Sequence, residues 1–378
     1  MKEEIFEFLK ELISFKTTAD NKEELKKCAN FIKEKAEKLG LEVEIYEGEV
    51  PNLIIKRKNG KGKKVAFVTH FDVVPAGENW KYNPFKAYET EDKIYGRGAT
   101  DDKGHLAAAL FALAHAKELK INPILAIAGG EETQRSVDFF KKVAKEVDLA
   151  IVNDTGPLEE IHIGSSGFAG FIIKIYGKQG HSAYENTFDN PILKLDKVIQ
   201  KIKELREYAK KNFVSKYSGK DYDKLYVRVV PTIIKSNPQV INIVPEYVEL
   251  TINIRTIPEY NTEFIKRWFK EKMTEFFEKE NIKYSLEYFN IEMDAWISDN
   301  EYVDNFIKIV EETINIKPKK GIMPGGSDGL HFYKEGTPVI EYGFSREENN
   351  IHSSNEFAYK EDIIKLYKVL KAVMEKGI

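Results

Sequence analysis

The chain is nearly devoid of cysteine: Cys28 is the single one among 378 residues. An internal disulfide is therefore excluded, and the composition suits a reducing compartment. Cys28 lies in EELKKCANFI, a helical pattern in which a small buried thiol is expected rather than a nucleophile. Long apolar runs are also missing. No segment approaches the ~20 apolar residues of a membrane span. The opening MKEEIFEFLKELISF intersperses charges among apolar residues at helical spacing and carries no small-residue cleavage site, so it does not read as a signal peptide. The expected location is cytoplasmic, with no membrane partner. Net charge is almost absent as well: 58 basic against 61 acidic residues leave −3. With no basic cluster interleaved with aromatics, a nucleic-acid partner is not expected. Repeats and low-complexity stretches are lacking.

What remains is a globular composition, 42% hydrophobic and 31% charged, on a chain longer than one core usually holds, so two domains are expected. In the first half, helix and strand alternate. NKEELKKCANFIKEKAEKLG is an amphipathic helix with Asp20 or Asn21 as cap and Gly40 as stop. Strands are expected at LEVEIYE, NLIIKRK, KVAFVT, PILAIA and DLAIVN, with helices over 103–119 and 134–146. Apolar strands separated by helices predict an α/β domain built on a mostly parallel sheet. From about residue 169 the order becomes β-α-β-β-α-β, that of a ferredoxin-like α+β unit. After about 290, helix and strand alternate again. The expected organisation is therefore one α/β domain over 1–168 and 290–378, interrupted by a smaller α+β insert over 169–289.

Polar groups collect just after the strands, where ligands gather in such sheets. In VAFVTHFDVVPAG the apolar run ends at Thr69, and His70 and Asp72 follow, which the two-residue side-chain period puts on one side of the chain. A carboxylate beside a metal-ligand histidine fixes its tautomer; the competing reading is a hydrogen-bonded core histidine. IYGRGATDDKGH places Asp101 and Asp102 before a helix, as caps or as metal ligands. AIAGGEETQR carries the adjacent Glu131 and Glu132. AIVNDTG carries Asp154, and NNIHSSNEF carries His352. Each feature alone has an ordinary reading as a turn or cap. Together they form a set of imidazoles and carboxylates suited to zinc, or to cobalt or manganese. Two divalent ions sharing a carboxylate would use the whole set and offset its repulsion.

HFDVVPAGENW, YGRGATDDKG, GGEE and IHSSNEF resemble, in order and across nearly the whole chain, the motifs of the M20 metallopeptidases. That family holds acetylornithine deacetylases, succinyl-diaminopimelate desuccinylases, aminoacylases, carboxypeptidases and dipeptidases. The resemblance implies that Asp101 bridges two metals, that His70 and Asp154 complete one site, and that Glu132 and His352 complete the other. It implies Glu131 as general base and Asp72 as the residue that orients His70, with a cis peptide after Asp101. It implies a lid and dimerisation domain in the insert. YGKQGHSA then marks His181 as the oxyanion donor, and VINIVPEYVELTINIRTIPE marks Asn242 and Arg255 as substrate contacts. PGGSDG offers Gly325, Gly326 and Ser327 as a substrate loop. The family usually has glycine soon after the Glu pair, where this chain has Thr133 and Gln134.

The expected activity is metal-dependent hydrolysis of an amide bond in an N-acyl amino acid or small peptide. The expected partner is that small molecule, together with a second copy of the chain in a homodimer. The alternatives are a catalytically silent metal or small-molecule binding protein on the same scaffold, and a mononuclear enzyme. YGFSREENN, with Arg346, Glu347 and Glu348, either helps select substrate or is a solvated turn.

Overall fold

The computed structural model describes residues 1–154, 156–219, 223–289 and 292–378. It is a mixed α/β protein that divides into two compact units. Unit 1 comprises 1–164, 298–321 and 328–378; unit 2 comprises 165–297 and 322–327. The boundaries drawn from the sequence stand at 168/169 and 289/290. The short stretch 322–327, placed by sequence with the catalytic domain, goes with unit 2.

The sheet of unit 1 runs in the order Glu42–Tyr46, Asn52–Lys56, Asn122–Ala128, Lys64–His70, Leu149–Val152, Val339–Glu341 and Glu160–Ser165. Its middle is parallel: Lys64–His70 pairs in parallel with both Asn122–Ala128 and Leu149–Val152, and Val339–Glu341 pairs in parallel with Leu149–Val152. The flanking pairs are antiparallel. The sheet is thus mixed, whereas the sequence suggests a mostly parallel one. The reason is local: Glu42–Tyr46 and Asn52–Lys56 are joined by a link too short for a parallel crossover.

The central strands are buried along nearly their whole length, as parallel strands covered on both faces must be. Helix Lys103–His115 is apolar nearly all round, KGHLAAALFALAH, and is buried from Lys103 to Leu113, since it lies against the sheet and against helix Lys360–Lys376. Helix Lys22–Lys38 begins at Asn21, whose side chain accepts the Glu24 N–H at 3.3 Å, and ends before Gly40 at φ 79°. No helix among the described residues is long and apolar enough to cross a membrane.

Unit 2 has a four-stranded antiparallel sheet in the order Arg228–Asn237, Tyr247–Thr256, Gly167–Tyr176, Tyr284–Tyr288. Strand Tyr247–Thr256 alternates strictly between buried and half-buried residues. Its buried set, with Phe171, Ile173 and Ile175, meets the apolar faces of helices Leu195–Asn212 and Thr262–Lys279 in one core. Phe171 and Phe269 anchor it, ring centroids 4.9 Å apart.

The start of helix Lys103–His115 is packed without slack. A Cβ on Gly104 would lie 2.3 Å from the Ala99 carbonyl oxygen and 2.9 Å from the Phe344 ring. Gly104→Ala should therefore destabilise the protein by about 1–3 kcal/mol, the usual cost of overpacking. Urea unfolding followed by circular dichroism measures it, and an unchanged midpoint would show that the loop before the helix yields freely.

Candidate active site

Three neighbouring parallel strands, Asn122–Ala128, Lys64–His70 and Leu149–Val152, end on the same side of the sheet. Glu131 and Glu132 follow the first, His70 and Asp72 close the second, and Asp154 follows the third. Parallel pairing therefore converges residues that are about 20 to 80 positions apart in the chain. Asp101 joins them from the turn before helix Lys103–His115, and His352 joins from the loop before helix Lys360–Lys376. The Asp101–Asp102 peptide is cis. Neither aspartate of this pair serves as a helix cap: Asp102 stands at the N-cap but makes no side-chain cap hydrogen bond.

Asp101 lies between two imidazoles. One carboxylate oxygen is 3.0 Å from His70 Nε2 and the other is 2.9 Å from His352 Nε2. His352 Nε2 is also 3.1 Å from Glu132 Oε1. Glu131 and Asp154 each bring an oxygen within 3.9 Å of His70 Nε2. His70, Asp101 and Glu132 offer ligand atoms within 4.8 Å of one another, a group that could hold a metal ion. His70 and Asp101 are buried, whereas His352 is 53% exposed and adopts φ 59°, an uncommon backbone state for a residue with a side chain.

Asp72 orients more than the sequence suggests. Its backbone carbonyl accepts from His70 Nδ1 at 3.0 Å, leaving Nε2 to face Asp101. Its carboxylate, 3.4 Å from the same Nδ1, accepts the backbone N–H groups of Glu131 at 3.0 Å and Glu132 at 3.1 Å. Asp102 accepts the His70 N–H at 2.8 Å. Gln134 stands where glycine is usual soon after the glutamate pair. It adopts φ 57°, and its side-chain oxygen lies 3.3 Å from His331 Nε2.

The charges are crowded. Burial, then Asp328, Asp154 and Glu132, raise the proton affinity of Glu131 well above the carboxylate range. Burial and the aspartates at 101 and 102 push Asp154 up to about 8. Burial would lower His70, but its contacts with Asp101 and Asp72 outweigh that and raise it. Contacts with Asp101 and Glu132 push His352 up to about 10. Asp328 belongs to the same cluster although the sequence reading passes over it as part of a turn. It is buried, and burial together with Asp154 pushes it up to about 8. The signal that could have found it is the one used for the others, an acidic residue shortly after a strand.

Other histidines are spoken for. His105 Nδ1 is 2.9 Å from the Thr100 carbonyl oxygen, and its Nε2 accepts the Phe344 N–H at 3.0 Å. His162 pairs with Glu160. Arg346 binds Asp362 at 2.6 Å, and the loop Glu347–Asn349 forms a short 3₁₀ turn.

The remaining residues singled out from the sequence lie in unit 2. His181 pairs with Ile243 in a two-residue ladder, and the Asn242 carbonyl oxygen accepts the Ser182 N–H at 3.0 Å. The Ala183 N–H donates to His181 Nδ1 at 3.1 Å, so the other ring nitrogen carries the proton of the neutral form. Arg255, opposite Arg228 in the ladder, packs its guanidinium 5.4 Å from the Phe168 ring centroid. Arg228 donates to Ser166 Oγ at 2.7 Å and to the Pro324 carbonyl oxygen at 2.9 Å, next to Gly325 and Gly326. The hydroxyl of Ser327 is buried with no hydrogen-bond partner among the described residues.

A profile of peptidase family M20/M25/M40 matches residues 66–376. The chain belongs to this family. A succinyl-diaminopimelate desuccinylase of Nautilia profundicola is 31% identical to it over 98% of this chain and 99% of the relative. One from Rickettsia bellii is 29% identical over 96% of this chain and 94% of the relative. Among solved structures, an M20 family metallo-carboxypeptidase from Sulfolobus solfataricus superposes with a TM-score of 0.72 at 21% identity, covering 98% of both chains. Human carnosine dipeptidase 1 gives 0.74 at 18%, covering 99% of this chain and 96% of its own. This M20 protein is a metal-dependent hydrolase of amide bonds.

The charge cluster predicts how the metal-free protein responds to pH. Asp154, Asp328 and His352 all have folded-state values above their ordinary ones, so at these sites the folded chain binds more protons than the unfolded chain, against His105 and His331, which burial lowers to about 4. The contribution of the three raised groups to stability is then full at acid pH and is lost as pH climbs from about 4 towards about 10. Thermal melts of chelator-treated protein should fall between pH 5 and 9, and Asp154→Asn should flatten the decline. Added zinc should recover more at pH 9, where its ligands are deprotonated. A wild-type midpoint that rises over this range would contradict the charge assignment.

Proposed function

We propose that the protein hydrolyses the amide bond of an N-acyl amino acid or small peptide at a centre of two divalent ions, zinc foremost, with cobalt or manganese as substitutes. The observation that carries this reading is the Asp101 carboxylate held between the His70 and His352 imidazoles, one oxygen to each. The donor set fits such a centre. It consists of imidazole nitrogens and carboxylate oxygens, without thiolate, and includes buried acids that favour a bound proton when no other cation is present. His70, Asp154 and Asp101 would hold one ion; Glu132, His352 and Asp101 would hold the other. When bound, the ions polarise the amide carbonyl and acidify water.

The chain's own groups do the rest. Glu131 takes the proton of the attacking water and delivers it to the leaving amine, a role its raised proton affinity supports. Asp72 holds the backbone from which Glu131 and Glu132 project, and keeps His70 turned towards Asp101. Unit 2 is read as a ferredoxin-like lid. From it His181 donates to the developing oxyanion through the nitrogen that its contact with Ala183 leaves protonated. Arg255 grips the substrate carboxylate, with Asn242 and the loop Gly325, Gly326 and Ser327 as further contacts. The sheet edge at Arg228–Asn237 exposes Val230, Ile233 and Ile234, which supports a homodimer through this unit. A cytoplasmic location fits the chain, which has one buried cysteine.

The two relatives described above are named as succinyl-diaminopimelate desuccinylases, so N-succinyl-diaminopimelate leads the substrates to test, followed by N-acetylornithine and dipeptides. The compact trio His70, Asp101 and Glu132 also suits a single ion, and elemental analysis separates one metal per chain from two. Glu131→Gln should lower kcat by about 10²–10⁴-fold while metal content stays at the wild-type level. A wild-type rate in that variant would remove Glu131 from the role of base. If the wild-type protein binds two ions yet cleaves no member of the panel with zinc, cobalt or manganese, the silent binding reading wins.

A further inference from the structure

We propose that Glu356 is a positioning residue for the metal centre: its buried carboxylate fixes the backbone of residues 97–101 and so sets where Asp101 stands between His70 and His352. The inference rests on the metal-hydrolase reading above and assigns a role to a residue that neither binds metal nor touches substrate in that reading.

Glu356 is fully buried, as is Arg97 beside it. One oxygen accepts from Arg97 Nη1 at 2.6 Å and from the Gly98 N–H at 3.0 Å. The other accepts from the Thr100 N–H at 3.0 Å and from the N–H of Asp101 itself at 3.1 Å. Both neighbouring carbonyls take part: the Glu356 carbonyl accepts the Gly96 N–H at 3.0 Å, and the Phe357 carbonyl accepts Thr100 Oγ1–H at 2.7 Å. The contacts continue into an antiparallel ladder between Phe357–Tyr359 and Lys93–Tyr95.

Two features make this more than a neutralised arginine. First, all four groups facing the carboxylate are donors, so only an acceptor on both oxygens satisfies them; an amide would turn its own hydrogens against one pair. Second, three of the four are backbone N–H groups in the turn that leads into Asp101. Glu356 sits four positions after His352, so the same segment supplies one proposed metal ligand and holds the backbone of another. Arg97 is anchored in turn, its guanidinium 5.3 Å from the Trp80 ring centroid.

The test uses full-length protein stripped of metal with a chelator. Zinc affinity is measured by competition with a chromophoric chelator, metal-free melting by circular dichroism, and kcat and KM at saturating zinc. Glu356→Gln should weaken zinc binding by about 10–100-fold, the usual effect of losing a group that orients ligands, and should lower kcat with KM little changed. Glu356→Asp, which keeps the charge, should fall between the variant and wild type. A folded Glu356→Gln protein with wild-type zinc affinity and kcat, altered only in melting temperature, would overturn the proposal and leave Glu356 a structural ion pair. If Glu356→Gln does not fold, Glu356→Asp decides. It keeps the charge but draws the carboxylate back by one methylene from the Gly98, Thr100 and Asp101 N–H groups, so it should weaken zinc binding in the same direction, and wild-type affinity and kcat there would overturn the proposal. Wild-type protein that binds no zinc would instead sink the metal-hydrolase reading, and this proposal with it.

Discussion

The constraint on which the rest depends is the concentration of negative charge around two imidazoles. Asp72, Asp101, Asp102, Glu131, Glu132, Asp154 and Asp328 act on one another or on His70 and His352 within unit 1. Carboxylates in so small a buried volume cannot all be ionised without compensating cations. Without metal, the compensation is protonic: Glu131, Asp154 and Asp328 hold protons more tightly, and the histidines tend to the charged form. A cluster that must be neutralised one way or another is a cluster built to receive cations, and in an M20 hydrolase those cations are metal ions.

The fold can carry this charge because it over-determines the backbone beneath it. Three adjacent parallel strands fix the separation of their ends, and those ends bear His70, the glutamate pair and Asp154. Asp72 then ties two of the ends together, since its carboxylate on one strand's extension accepts N–H groups on the next. Removing it would cost two partly buried backbone donors their partner as well as the orientation of His70. A single residue of this kind couples the geometry of the imidazole to that of the glutamates.

Much of this was legible in the sequence because it is locally encoded. Strand Lys64–His70 follows the run KVAFVT, and helix Lys103–His115 starts at the residue where the helix over 103–119 is expected to start. Of the residues proposed as ligands, His70, Glu132 and Asp154 are legible because strand ends can be located without knowing the sheet order, whereas Asp101 and His352 stand in turns ahead of helices. What escaped is what depends on partners far along the chain. The antiparallel flanks of the large sheet, the small ladder of Phe357–Tyr359 on Lys93–Tyr95, and the return of 322–327 to unit 2 are long-range choices. Asp328 and Glu356 were missed for the same reason. In the sequence each is an acid in a polar turn, and only burial against Asp154 or against the 97–101 backbone gives it a distinct role.

Glu131 and Glu132 show how little sequence adjacency means once the backbone leaves regular structure. Residues 131–135 form turns, so consecutive side chains diverge. Glu132 turns to the half-exposed His352, a partner that neutralises it. Glu131 turns inward towards His70, among Asp328 and Asp154, where burial and like charge both favour its protonated form. A carboxylate that readily gains a proton yet is poised beside the reacting groups can serve as a base and then as an acid, whereas one bound to a cation cannot. The repulsion between two neighbouring glutamates is therefore divided unequally by their surroundings, and in the proposed mechanism that inequality would fit Glu132 to hold charge and Glu131 to move a proton.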